Sequence, residues 1–228
     1  MNYVVMMSTN IMAKANRVYK TKVPVTKNQQ VEAEVVDITY QGMGVIKIDN
    51  FPIFVIDAIP GEVVQVGITK VLKSYAFGRV IKRVKASPNR AENVDKVAIT
   101  TGIAPLANLK YEAQLTFKQR QVEQLFKKVN VSVEVNPTIG MTDPTKYRNK
   151  AQVPVQMVNG QLETGFYRRG SHKLMPVEDF YIQDPKVDEA VSVTRDVLRD
   201  LGISAYDEET HKGVVRHIMA RRGRSEEH

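Results

Sequence analysis

The alternation of apolar and polar residues over residues 30–85 constrains the fold more than any other feature of the chain. Val31, Ala33 and Val35 alternate with two glutamates, the period of two that is typical of a half-buried strand. Strand patterns also cover residues 45–48, 51–56, 62–71 and 78–85, with turn residues at 42–44, 49–50 and 60–61 between them. About five short strands in so short a stretch predict a small closed β-barrel of the oligonucleotide-binding (OB) type.

The rest of the sequence predicts an α/β region. Residues 87–109 are irregular, and residues 111–129 carry the pattern of an amphipathic helix. Its apolar stripe consists of Tyr111, Leu115, Val122, Leu125 and Phe126. Asn159-Gly160 predicts a hairpin turn between strands at 147–158 and 161–168. Asp184 predicts the start of a helix that ends at Gly202, and a strand follows at 213–222.

The predicted fold class is therefore mixed β and α+β. We expect a basic, flexible N-terminal arm at residues 1–28 and an OB-like barrel at residues 29–88. An incomplete α/β domain is expected at residues 89–228.

Composition narrows the classes of function. Lys and Arg number 33 against 25 Asp and Glu, and the net charge of +8 favours a polyanionic partner. The absence of cysteine excludes disulfides, thiolate metal sites, iron–sulfur clusters and cysteine nucleophiles. The four histidines lack metal-ligand spacing and the carboxylates are scattered, so we assign neither a metal site nor catalytic residues. No stretch has the length and apolarity of a membrane span, and the sequence predicts a cytoplasmic protein without a membrane partner.

A basic run at the end of the predicted barrel is the clearest functional signal. No acidic residue occurs between residues 70 and 91, and the cations of this run are Lys70, Lys73, Arg79, Lys82, Arg83, Lys85 and Arg90. In a regular strand, Arg79, Ile81, Arg83 and Lys85 share one face. Tyr75 and Phe77 lie within the run and Tyr40 lies in an earlier turn. Aromatic rings beside cations favour RNA, because rings stack on bases while cations hold phosphates. The alternative is a solvated barrel face without a ligand.

Several segments resemble known RNA-modifying enzymes. Residues 40–45 (YQGMGV), 54–55 (FV) and 58–64 (AIPGEVV) resemble the TRAM domain, an RNA-binding barrel. Residues 109–115 (LKYEAQL), 147–151 (YRNKA), 165–172 (GFYRRGSH) and 213–219 (GVVRHIM) resemble the central domain of the RNA 5-methyluridine methyltransferases, the RumA/TrmA group. The chain is most similar to the bacterial members that modify large-subunit ribosomal RNA.

The resemblance implies that the partner is RNA, ribosomal RNA in particular. It also implies that a second group of residues holds the RNA loop: Tyr147, Arg148, Asn149, Lys150, Arg168, Arg169 and His172. The alternative for these residues is structural, since a Tyr-Arg-Asn-Lys strand can serve only to fix its hairpin.

Two departures from the family change the expected activity. Thr101 and Ala104 stand where many members have cysteines that hold an iron–sulfur cluster, so no cluster is expected. The family's C-terminal domain binds S-adenosylmethionine and supplies a cysteine that attacks uracil C6. This chain has no cysteine and no recognisable cofactor-binding glycine loop, and residues 224–228 leave the family pattern.

We therefore expect the front part of a methyltransferase, truncated before its catalytic domain. Such a chain binds RNA, binds no cofactor and transfers no methyl group by itself. Two alternatives remain open. One is a non-catalytic RNA- or ribosome-binding module, and the other is half of a split enzyme that recruits a separate methyltransferase subunit.

Overall fold

A computed structural model describes residues 23–223 of the protein. A curled sheet forms its N-terminal part, between residues 30 and 85. Its strands are β1 (Gln30–Glu34), β2 (Asp37–Ile38), β3 (Met43–Ile48), β4 (Phe51–Ile56), β5 (Val63–Val71) and β6 (Ala76–Lys85). The strand order is β1-β5-β6-β4-β3-β2, with β4 and β6 parallel and the other pairs antiparallel. Because β1 and β2 are consecutive pieces of one bent stretch, the sheet closes on itself.

The bend between β1 and β2 shows how the barrel closes. The Val35 amide donates a hydrogen bond to the carbonyl of Glu62 (2.8 Å) on one side of the stretch. The next amide, that of Val36, donates to the carbonyl of Val45 (2.9 Å) on the other side. Successive residues therefore bond to opposite edges of the sheet, and the predicted OB-like barrel is confirmed.

Branched aliphatic side chains fill the barrel. Ile46, Ile53, Val55, Val64 and Val66 have no solvent exposure. They alternate with outward-facing residues along their strands, as the sequence pattern predicted.

The barrel core also takes in residues that precede β1. Val25 is 2% exposed and packs in the same cluster as the strand residues. The core therefore reaches into the stretch predicted as a basic arm, and residues 1–22 of that arm lie outside the described residues.

The stretch between the barrel and the second region contains a helix that the sequence did not predict. This helix, α1 (Lys96–Thr101), begins at Asp95, whose carboxylate accepts hydrogen bonds from the amides of Val97 (2.8 Å) and Ala98 (3.2 Å). It was missed because six residues, two of them threonines, are too few to show an amphipathic period.

The second region contains two longer helices and a smaller sheet. Its elements are α2 (Tyr111–Lys128), β7 (Lys150–Val158), β8 (Gln161–Tyr167), β9 (Leu174–Pro176), α3 (Pro185–Asp200) and β10 (His217–Arg221). The sheet has the order β10-β7-β8-β9, and all its pairs are antiparallel. Asn159 and Gly160 have φ angles of 51° and 83°, which confirms the predicted hairpin turn.

Helix α3 covers one face of this sheet. The Asp184 carboxylate accepts a hydrogen bond from the Lys186 amide (2.8 Å), and Gly202 (φ 64°) follows the helix, as predicted. Val187 and Val191 are buried in a cluster with Phe180 and with inward-facing residues of β7, β8 and β10.

Two strands are shorter than predicted because their first residues pair elsewhere. The Arg148 amide donates to the carbonyl of Ile182 (2.8 Å), and the Asp184 amide donates to the carbonyl of Arg148 (2.9 Å). Arg148 therefore bonds to the approach of α3 before β7 begins. Residues 213–216 likewise precede β10, since Val215 pairs with Ala205.

Candidate nucleic-acid interface

Three aromatic rings form a cluster on the outer face of the barrel. Phe54 and Phe77 are register partners on the parallel strands β4 and β6, and Tyr75 precedes β6. The Tyr75 ring centroid lies 5.6 Å from that of Phe54 and 5.5 Å from that of Phe77, in edge-to-face geometry. Because Val55 and Ala76 point into the core, their neighbours along the strands point outward. We call Phe54, Tyr75 and Phe77 the aromatic platform.

Cations surround the aromatic platform. Lys70 is the register partner of Phe77 on β5, and Arg79 is the next outward residue of β6. Lys73 lies in the turn that leads to Tyr75, where the Leu72 amide donates to the Tyr75 carbonyl (2.9 Å). All three cations are exposed. A groove with phosphate-holding cations beside stackable rings is the arrangement by which single-stranded nucleic acid is bound.

Irregular pairing between β5 and β6 decides which further cations face outward. The β6 residues Ile81 and Val84 have no register partner on β5, so each acts as an extra, bulged residue. The cations that pair with outward-facing residues of β5 are therefore Arg79, Lys82 and Lys85, every third residue. The sequence prediction of a regular strand with Arg79, Ile81, Arg83 and Lys85 on one face was therefore wrong for Arg83, whereas the other three residues are exposed.

Arg83 points into a buried charge cluster instead. Glu62 has no solvent exposure, and its Oε1 lies 2.8 Å from Arg83 Nε and 2.5 Å from Arg90 Nε. Arg83 Nη2 also donates to the carbonyl of Asp57 (2.9 Å). Burial lowers the pKa of Arg90, but hydrogen bonds to Glu62 and Asp57 outweigh it and hold that pKa above its ordinary value. Arg83 and Arg90 therefore stabilise the end of the barrel at Glu62. Because their guanidinium groups are engaged there, they are not among the proposed RNA contacts.

Lys82 and Lys85 face outward in a less positive setting than Lys70 and Arg79. Lys82 pairs with Gln65 of β5, which in turn pairs with Glu32 of β1. Lys85 is connected to Glu34 of β1 in the same way, through a β5 residue. The two glutamates are two strands away, about 10 Å. Their charges partly offset the two lysines.

Tyr40 occupies a third position on the barrel. It lies in the turn between β2 and β3, is 72% exposed, and its hydroxyl accepts a hydrogen bond from Gln41 (3.2 Å). An aromatic ring with this exposure is free to contact a ligand.

The second predicted group of RNA contacts does not form one site. Tyr147 and Asn149 line a cavity of about 570 Å³ together with Lys146, Arg222 and two further residues, Met141 and Asp184. Arg148 and Lys150 do not line it, and Arg148 Nε donates to the carbonyl of Lys150 (2.9 Å). The Asn149 side chain donates to the carbonyl of Arg222 (3.2 Å), which supports the structural reading of this residue.

Arg168, Arg169 and His172 lie in the turn between β8 and β9. Arg168 and His172 are exposed. The guanidinium of Arg169 packs against Gly102 and occupies the space that a Cβ at residue 102 would need. The Arg169 amide donates to the carbonyl of Thr100 (3.1 Å). Burial lowers the pKa of Arg169. Arg169 therefore ties this turn to α1, while Arg168 and His172 remain available.

Two outward residues, one in the aromatic platform and one beside it, were absent from the RNA contacts predicted from the sequence. Phe54 is a member of the platform, and Lys47 is an exposed residue of β3, the strand next to β4. The signal that would have found them is the period of two, because buried Ile53 and Val55 place Phe54 on the opposite face.

Within residues 23–223, no group of three or more His, Asp and Glu side chains could hold a metal ion. No helix of the same range combines the length and the apolarity needed to cross a bilayer.

Comparison with known proteins agrees with this architecture. The sequence profile of the TRAM domain matches residues 24–81. A Lactiplantibacillus plantarum protein named as an uncharacterized RNA methyltransferase is 54% identical over 205 residues, which are 90% of this chain and 45% of that protein. An Enterococcus faecalis protein of the same name is 45% identical and is covered over 44% of its length. The chain thus spans about half the length of the curated relatives it matches.

A solved structure shows the same fold. The tRNA (uracil-54, C5)-methyltransferase of Pyrococcus abyssi, in complex with S-adenosyl-L-homocysteine, superposes with a TM-score of 0.59 at 19% identity. The match covers 84% of this chain and 42% of that one. The chain therefore carries a TRAM domain and is homologous to the N-terminal portion of the RumA/TrmA-like RNA methyltransferases.

Proposed function

We propose that this protein binds RNA through the outer face of its barrel. The observation that carries the proposal is the aromatic platform, three outward rings within 6.0 Å of one another, with Lys70, Lys73 and Arg79 around it. Rings on a protein surface stack on bases that are free of a partner, whereas duplex bases already stack on one another. The preferred ligand is therefore single-stranded RNA, and ribosomal RNA in the cytoplasm is the class that the sequence resemblance favours.

The salt dependence of binding tests the contribution of the cations. Changing Lys70, Lys73 and Arg79 together to glutamine should reduce the slope of log K against log salt by about 2, because each lost phosphate contact removes about 0.7. The measurement is the fluorescence anisotropy of a labelled single-stranded RNA, titrated with protein between about 50 and 200 mM salt.

The matched control removes the same charge from another surface. Lys118, Lys127 and Lys128 of α2 are exposed, and their change to glutamine should leave the slope within about 0.5 of wild type. An equal loss in both triple variants would mean that net charge alone attracts RNA, and the barrel face would have no special role.

We also propose that the wider role is uridine methylation of ribosomal RNA and that these 228 residues do not perform it alone. Carbon 5 of uracil is a poor nucleophile until a thiolate adds at carbon 6, and the chain has no cysteine.

The larger cavity among the described residues does not fit S-adenosylmethionine. The larger cavity presents Lys146 and Arg222, which repel a sulfonium cation, and its one carboxylate, on Asp184, is paired with Arg222 at 3.0 Å. Purified protein incubated with RNA and tritium-labelled S-adenosylmethionine should therefore leave no label in the RNA. Label above that of heat-denatured protein would refute the proposal.

A non-catalytic RNA-binding module and one half of a split methyltransferase are the remaining candidates. The second is favoured by a specific observation: helix α2 buries none of its residues within the described part of the chain.

A further inference from the structure

The outer face of β6 continues beyond the aromatic platform as an alternation of cations and apolar side chains. Its outward residues after Phe77 are all exposed, and they are Arg79, Ile81, Lys82, Val84 and Lys85. The two apolar members are the bulged residues, because a bulge places two consecutive residues on the same face of a strand. Ile81 and Val84 are 46% and 50% exposed. Apolar surface is therefore open to a ligand between the cations.

The side chain of Ile81 lies over the neighbouring strand. A Cβ built on Gly67 of β5 would come within 3.1 Å of Ile81 Cδ1 and 3.5 Å of Ile81 Cγ1. Gly67 is also the register partner of Arg79. Because residue 67 has no side chain, Ile81 packs on the backbone of β5 beside Arg79. The result is an apolar surface next to a cation, which suits the face of a base whose phosphate is held by that cation.

The cations of β6 are spaced like the phosphates of an extended strand. The β5 partners of Arg79, Lys82 and Lys85 are two residues apart at each step. A strand rises about 3.4 Å per residue, so neighbouring cations lie about 7 Å apart along the sheet. Successive phosphates of an extended single strand are separated by a similar distance. One cation per phosphate, with an apolar side chain between the cations, therefore fits a strand that runs along β6.

A path across the strands is less favourable for RNA. The register row through the aromatic platform ends at an acid, since it runs from Lys70 through Phe77, Phe54 and Val45 to Asp37. Asp37 precedes a buried residue and so lies on the outer face, where its carboxylate repels a phosphate. The carboxylate of Asp57, close to β6 at Arg83, is instead paired with Arg90 at 3.0 Å. The path along β6 is therefore the more positive one.

We propose that the RNA strand on the aromatic platform continues along β6 to Lys85. We call Ile81, Lys82, Val84 and Lys85 the β6 track; its lysines hold phosphates and its apolar residues contact bases. The site then takes about five unpaired nucleotides, whereas the platform alone holds about two or three. This inference rests on the proposed RNA binding and adds the course and the length of the bound segment. Such a length selects single-stranded linkers and large loops over short hairpin loops.

The length of the RNA separates the β6 track from the aromatic platform. Labelled oligouridines of about three and about eight nucleotides are titrated with the intact chain at about 50 mM salt, and fluorescence anisotropy gives the dissociation constants. Lys82→Gln combined with Lys85→Gln should raise the dissociation constant of the longer RNA about fivefold. The same variant should bind the shorter RNA within about twofold of wild type, because the platform alone holds it. Ile81→Ser should weaken binding of the longer RNA about threefold, with the same selectivity.

Matched controls remove the same kinds of group from the helices. Lys127→Gln combined with Lys128→Gln takes two exposed cations from α2, and Val193→Ser takes from α3 an apolar residue that is 57% exposed. Neither control should change either dissociation constant by more than about twofold. Unchanged binding of the longer RNA by the β6 track variants, or equal losses on both lengths, would overturn the proposal. A wild-type chain that binds neither RNA would contradict the proposed function as well.

Discussion

Replacing Glu62 by alanine should lower the free energy of unfolding of this chain by about 3 kcal/mol. Glu62 has no solvent exposure, and it pairs with Arg83 and Arg90, whose side chains are 27% and 14% exposed. Loss of one partner from a buried ion pair leaves uncompensated charge and costs about 3–5 kcal/mol. The lower figure applies because both guanidinium groups keep some contact with water.

The Glu62 cluster also joins the barrel to the residues that follow it. Arg90 follows the barrel, and the Ile59 amide donates to Glu62 Oε2 (3.1 Å). Urea denaturation followed by circular dichroism measures the change. Glu32→Ala is the matched control, because Glu32 is an exposed acid on β1 and should change stability by less than about 0.5 kcal/mol. If both variants unfold at the same urea concentration, the cluster does not stabilise the barrel.

The barrel and the second hairpin were predictable because their signals are local. Alternation along β1, β3 and β4 reports which residues face a core, and Asn159-Gly160 allows the positive φ angles of a tight turn. Asp184 and Pro185 similarly mark the start of α3, because the first amides of a helix have no partner within the helix. The Asp184 carboxylate accepts a hydrogen bond from one of them, and Pro185 has no amide hydrogen to satisfy.

The charge distribution on β6 was not predictable, because it depends on pairing with β5. Alternation assumes a regular ladder, and the bulged residue Ile81 shifts Lys82 and Arg83 by one face before the second bulge, at Val84, restores the original alternation at Lys85. That shift turns Arg83 toward Glu62, an acid 21 positions earlier in the sequence. The period of α2 identified a helix but carried no information about which body would cover its apolar face.

Replacing Tyr75 by alanine should have the largest effect on RNA binding among single substitutions on the barrel. Tyr75 contacts both phenylalanines of the aromatic platform and is 37% exposed, so its ring is open to a ligand. Stacking of one base on an aromatic side chain contributes about 1–3 kcal/mol. The dissociation constant for single-stranded RNA should therefore rise about 5- to 150-fold.

Two further variants and a melting temperature show whether the loss of affinity is due to lost stacking at residue 75. Tyr75→Phe keeps the ring and should bind within about twofold of wild type. Phe126→Ala removes an aromatic side chain of similar exposure, 39%, from α2 and should leave RNA affinity unchanged. Equal melting temperatures of wild type and Tyr75→Ala would show that the barrel remains folded.

The central claim is that the aromatic platform holds unpaired bases. Its most direct measurement compares the dissociation constants of wild type and Tyr75→Ala for one RNA sequence, first single-stranded and then annealed to its complement. We expect the variant to lose at least about fivefold on the single strand and to show no change on the duplex, which it contacts through phosphates alone. Equal losses on both RNAs, or no loss on the single strand, would contradict the claim.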